Sequence, residues 1–114
     1  MNPILHLTTA SAWEAALQAG EYRAPSLENE AFIHCSLPDQ IAEVANTWFG
    51  GQNDLVLLVL DSTRLRPEVR FEPGTDKPDA LFPHVYGPIN LDAVIRVLDY
   101  KPGQDGRFTR PEIG

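Results

Sequence analysis

The chain has 114 residues, 43% of them hydrophobic, and carries a formal net charge of -7 with a pI near 4.7. That length fits one compact domain with a single core. The acidity argues against a protein whose work is non-specific adhesion to nucleic acid or anionic membrane, since both need a basic surface. No apolar run is long enough to span a bilayer, and the start MNPILHL lacks the charged and long apolar regions of a secretory signal. The expected location is the cytoplasm, away from membrane. Cys35 is the only cysteine, which excludes an internal disulfide and a multi-cysteine zinc site. Its apolar neighbours make it a small buried hydrophobe rather than a nucleophile, and strand alternation turns it away from His34.

Residues 3–8 predict a first strand, with Leu5 and Leu7 on one face and Ile4, His6 and Thr8 on the other. A helix follows. Ser11 with Glu14 has the form of a capping box, Trp13, Ala16 and Leu17 recur at helical spacing, and Gly20 supplies the stop. Residues 21–30 are polar, broken by Pro25 and Ser26, and read as a connection whose Tyr22 and Arg23 either line a pocket or stay on the surface.

The segment AFIHCSLPDQIAEVANTW (residues 31–48) is the part around which the chain is organised. It predicts a strand with Phe32, His34 and Ser36 on one face. That strand passes into an amphipathic helix opened by Ser36 and Asp39, with Pro38 in its first turn. Ile41, Val44, Ala45 and Trp48 form the helix's apolar stripe, and Gly50 and Gly51 end it. A helix amino terminus directly after His34 and Ser36 would suit an anionic ligand.

The unbroken LVLLVL of residues 55–60 predicts a central strand buried on both faces. Val69 and Phe71 alternate with Arg70 and Glu72 in a further strand, where Arg70 and Glu72 are either a solvated pair or part of a site. PGTDKPD (residues 73–79) is a turn-rich loop with the composition of a flap. LFPHVYGPI then sets His84 and Tyr86 in a frame stiffened by Pro83 and Pro88, with Gly87 free for a turn closed to other residues. AVIRVLDY (residues 93–100) reads as a last strand, and the polar, glycine-rich residues 102–114 read as a mobile tail. The expected organisation is a domain over residues 1–101 followed by that tail.

His6, His34 and His84 each sit in an otherwise apolar segment and are read together as marking one site. ILH near the start, the tryptophan-bearing helix, FIH-x-S, RFEP and FPHVYG together resemble the bacterial family catalogued as domain of unknown function 952, over nearly the whole chain to about Tyr100. That family is in turn similar to the ADP-ribosyltransferase-like superfamily, which includes RNA 2′-phosphotransferases. The resemblance implies a single α+β domain with a split β-sheet flanked by helices and a ligand cleft between the half-sheets. It implies NAD as co-substrate, a nucleotide as the small-molecule partner, and a first-strand residue, here His6, against a ribose. Thr8 and Ser36 would complete the ligand-binding set, and His34, Glu72, His84 and Tyr86 the catalytic one. The chain departs from the superfamily in placing Ile33 and His34 where many relatives have a tyrosine. Glu72 is only the nearest candidate for the third-motif glutamate, and the arginine set of a phosphotransferase is missing.

Three functions follow from these residues. The first is an NAD- or ADP-ribose-using transferase or glycohydrolase, with no resident metal. The second is a metal site built from the three histidines with Glu72. The third is a binding or structural domain without chemistry.

Overall fold

A computed structural model describes residues 3–75 and 77–113. Met1, Asn2, Asp76 and Gly114, which the expected domain, loop and tail include, lie outside the described residues. The elements in order are strand β1 (Pro3–Thr9), helix α1 (Ala10–Ala19), β2 (Glu21–Tyr22), α2 (Ser26–Glu30), β3 (Ile33–His34), α3 (Ile41–Trp48), β4 (Leu55–Asp61), β5 (Glu68–Pro73), β6 (Leu81–Tyr86), β7 (Ile89–Asn90), one 3₁₀ turn (Leu91–Ala93) and β8 (Val94–Tyr100).

The strands form two antiparallel three-stranded sheets, ordered β1-β4-β8 and β3-β6-β5, and a short ribbon of β2 with β7. The result is a single small α+β domain. Its two larger sheets touch through one bridge, where Leu5 and Ser36 exchange both backbone hydrogen bonds at 2.8 Å. That bridge, two residues beyond the end of β3, ties the two sheets together beside the site.

Strand β4 lies at the centre of its sheet and buries residues 55–60 on both faces, as its unbroken apolar run requires. One face carries Val56, Leu58 and Leu60 against Ile4, Ile33, Cys35, Val85 and Ile89. The other carries Leu55, Leu57 and Val59 against Leu5, Leu7, Ile41, Ala45 and Phe108. The alternation expected for β1 therefore holds, with each set of side chains entering a different core.

Several expectations need correction. The cap of α1 is Thr9, whose Oγ1 accepts from the Ala12 N–H at 3.1 Å, because β1 runs straight into the helix and leaves Ser11 inside its first turn. Gly20 does end α1, at φ +88°. Leu17 is exposed, since α1 turns only Ala12, Trp13 and Ala16 inward. The polar connection holds β2 and α2 instead of plain loop. Helix α3 starts at Ile41 and not at Ser36, whose backbone belongs to the bridge with Leu5. Gln40 precedes it, accepting from the Leu37 N–H and donating to the Leu81 carbonyl, both at 2.9 Å. Trp48, expected on the buried stripe, is 59% exposed.

Between Phe108 and Ile113 the chain after Tyr100 packs on the domain rather than trailing from it. Phe108 is buried, with its ring 5.0 Å from that of Tyr100. Asn46 brackets the Phe108 backbone, donating to its carbonyl at 3.0 Å and accepting from its N–H at 2.8 Å. The Tyr100 hydroxyl donates to the Thr109 carbonyl, and Arg96 to that of Ile113. Among the described residues no helix is long and apolar enough to cross a membrane.

Candidate functional site

Where the two sheets diverge, a cleft of about 620 Å³ opens. Residues 5–9 of β1 form one wall and residues 34–36 the other. Tyr22, residues 24–26 and Glu30 close one end, while Ile41, Val44, Trp48 and Phe49 flank it with Gly74, Thr75, Phe82 and His84.

His6 sits at the fork. Its Nδ1 lies 2.7 Å from the His34 carbonyl, on the side of β3 that has lost its strand neighbour, and its Nε2 lies 2.8 Å from the Tyr22 hydroxyl. A carbonyl can only accept, so Nδ1 carries the proton, and in the neutral ring Nε2 accepts from Tyr22. The Tyr22 hydroxyl also lies 2.9 Å from Thr8 Oγ1, which extends the network along the wall. Burial lowers the His6 pKa to about 4, which keeps the ring neutral and this arrangement intact. Burial also raises the Tyr22 hydroxyl above its ordinary value. His6 and Thr8 thus lie on the cleft wall with their polar groups holding the two sheets together.

His34 and His84 are direct cross-strand partners in β3 and β6, so their side chains share one sheet face. Their rings meet edge-on with centroids 5.3 Å apart, and Phe32 stacks on His84 at 4.0 Å. Each histidine has a carboxylate. His34 Nε2 lies 2.6 Å from Glu30 Oε2, and His84 Nδ1 lies 2.8 Å from Glu72 Oε1. The same Glu72 oxygen accepts from the Tyr86 hydroxyl at 2.5 Å. The hydrogen bonds from Tyr86 and then His84 depress the Glu72 pKa, and the bond to Glu72 raises that of Tyr86. An ionised Glu72 fixes the proton of a neutral His84 on Nδ1 and leaves Nε2 as the basic nitrogen.

Not all expected residues reach the cleft. His6, Thr8, His34, Ser36 and His84 line it, whereas Glu72 and Tyr86 stand behind His84. Arg70 pairs with Glu68 at 3.0 Å rather than with Glu72, and its guanidinium lies 4.4 Å over the Tyr86 ring. Arg23 pairs with Glu21 on the surface, while Tyr22 is buried in the wall. Cys35 is buried, and burial pushes its thiol pKa up, which suits the inert reading. The three histidines do not pool their nitrogens, because both of those on His6 are engaged. Among the described residues no group of three or more histidine, cysteine or acidic side chains is arranged to hold a metal.

Glu30, Phe32 and Trp48 belong to the site without having been singled out for it. Glu30 and His34 are four apart, a spacing that means contact only on a helix. Here Ala31, in the left-handed conformation at φ 74°, folds the chain back between them.

A family model described as "Protein of unknown function (DUF952)" matches residues 7–97. The chain belongs to that family. The DUF952 match takes in every expected site residue except His6, which immediately precedes it. An X-ray structure of protein CC0527 from Caulobacter crescentus is 30% identical, with a TM-score of 0.82 over 94% of this chain and 93% of that one. The X-ray structure of a double mutant of CC0527 gives the same values. The solution NMR structure of CC0527 is 31% identical, with a TM-score of 0.81 over 96% of this chain and 93% of that one. No curated protein matches. These comparisons carry the DUF952 family and the fold, and no superfamily, nucleotide or enzyme assignment.

Proposed function

We propose that the cleft binds a ribosyl nucleotide of the NAD or ADP-ribose kind and breaks its N-glycosidic bond, passing the ribosyl group to water or another acceptor. The observation that carries this reading is the pair of histidine–carboxylate couples, His34–Glu30 and His84–Glu72, whose imidazoles meet 5.3 Å apart beside a cleft large enough for a nucleoside. The opening of the cleft between two half-sheets agrees with the superfamily resemblance.

In this reading the bond from C1′ to the base nitrogen breaks and its electron pair leaves with the base. The cationic sugar is stabilised by the Glu30 carboxylate. The incoming water or hydroxyl adds its oxygen to C1′ and gives its proton to His84 Nε2, with Glu72 holding the imidazole in the basic tautomer. Tyr86 orients Glu72, while His34 and the His6–Thr8 wall position the ribose. Ser36 lines the ligand side. It lies apart from the start of α3, so phosphate capture by Ser36 together with that helix end is no part of the proposal.

Base release from NAD, followed in parallel with calorimetric binding, tests these roles. His84→Ala is expected to lower kcat about 100-fold and Glu72→Gln about tenfold, both with Kd within about threefold of wild type. Equal loss of binding and turnover in both variants would reject the roles, and binding without any product would leave a binding module.

A further inference from the structure

The cleft is built without a cationic side chain. Among the described residues that line it there is no lysine or arginine, and Glu30 is the one formally charged group. Arginines elsewhere have partners of their own, Arg23 with Glu21, Arg70 with Glu68, and Arg66 with Asp92. His6 cannot stand in for a cation, since its Nδ1 and Nε2 are both committed to uncharged partners within the wall. The first turn of α3, whose Ile41 and Val44 flank the cleft, contains Glu43. That carboxylate is paired with the ammonium of Lys77, so this lysine too has a partner of its own. Phosphate recognition draws most strongly on arginine and lysine, and neither is among the described residues that line this cleft.

What the cleft offers instead is apolar and aromatic surface. Trp48 lies on its flank while 59% exposed, beside Phe49 and Val44, with Phe82 further along the lining. An exposed indole on an otherwise apolar wall presents a face to a flat ring, and more strongly to a cationic one.

Resting on the ribosyl reading above, we propose that the cleft holds its substrate through the ribose and a neutral or cationic planar base rather than through the phosphates, so that an N-riboside binds more tightly than the corresponding phosphorylated nucleotide. Glu30 and the overall charge of -7 set this preference, since both attract a pyridinium-type base and repel a phosphate.

The test is calorimetric titration of the whole chain with nicotinamide riboside, nicotinamide mononucleotide and NAD at low and moderate salt. The riboside is expected to bind about tenfold or more tighter than the mononucleotide at low salt, and added salt should narrow the gap. Glu30→Gln should reduce the ratio to about threefold by weakening the riboside and strengthening the mononucleotide. Mononucleotide or NAD binding as tightly as the riboside would overturn the inference while leaving the ribosyl reading in place. Failure of all three to bind the wild type would overturn both.

Discussion

Replacing His6 with alanine is expected to destabilise the fold by about 3 kcal/mol, because the imidazole stands where backbone pairing between the two sheets has stopped. Its Nδ1–H takes the His34 carbonyl, and its Nε2 takes the Tyr22 hydroxyl. Alanine takes the donor from the His34 carbonyl and leaves the Tyr22 hydroxyl with Thr8 alone, and a buried polar group left unpaired costs about 1–3 kcal/mol. Water entering from the cleft offsets part of that, which keeps the expected value below the sum. Urea denaturation read by far-ultraviolet dichroism measures it, and a loss under about 1 kcal/mol would mean that the network is ornamental.

The same residue sets an acid limit. Its pKa is about 4 in the fold against an ordinary 6.5, so between those values the unfolded chain binds a proton that the folded chain refuses. Stability therefore falls as pH drops through that window, by about 3 kcal/mol in all at about 1.4 kcal/mol per unit. His6→Gln, which cannot titrate, should flatten the slope between pH 6.5 and 4 while losing less stability at pH 7 than the alanine variant.

The second large effect lies at the other end of the chain. Phe108→Ala is expected to cost about 3–4 kcal/mol, the range for emptying a buried phenylalanine site. The ring closes the core made by Leu5, Leu7, Ile41 and Leu57, and Asn46 clamps its backbone on both sides. Ending the chain at Lys101 should cost at least as much, since it also frees the Tyr100 hydroxyl and exposes that core to water. A truncated protein with the urea midpoint of the full chain would show that residues 102–113 contribute nothing.

These two sites mark the limit of what the sequence discloses. Strands β1, β4 and β8 and the end of α1 were legible because alternation, an unbroken apolar run and a terminal glycine are local signals. The docking of Phe108 was not, because one aromatic residue among glycines, prolines and charges has no periodicity, and its partner Asn46 is 62 positions away. Helical spacing puts Trp48 on the apolar stripe of α3, and spacing alone cannot tell a face packed on a sheet from one that overhangs a cleft. The histidines were found as polar residues in apolar surroundings, and His34 and His84 do meet. Their roles separate only in three dimensions, where His6 has both nitrogens occupied while His84 keeps one for chemistry. Glu30 was invisible because its approach to His34 depends on the backbone reversal at Ala31.

The central claim is that the ligand enters the fork between β1 and β3. Two-dimensional NMR of labelled protein titrated with nicotinamide riboside and with NAD tests it most directly. The expected result is shift changes concentrated in the backbone amides of residues 5–9 and 34–36, the imidazole of His84 and the indole of Trp48. Changes confined instead to the second hollow of the surface, around Arg66, Pro67, Asn90 and Asp92, or no changes at millimolar ligand, would contradict it.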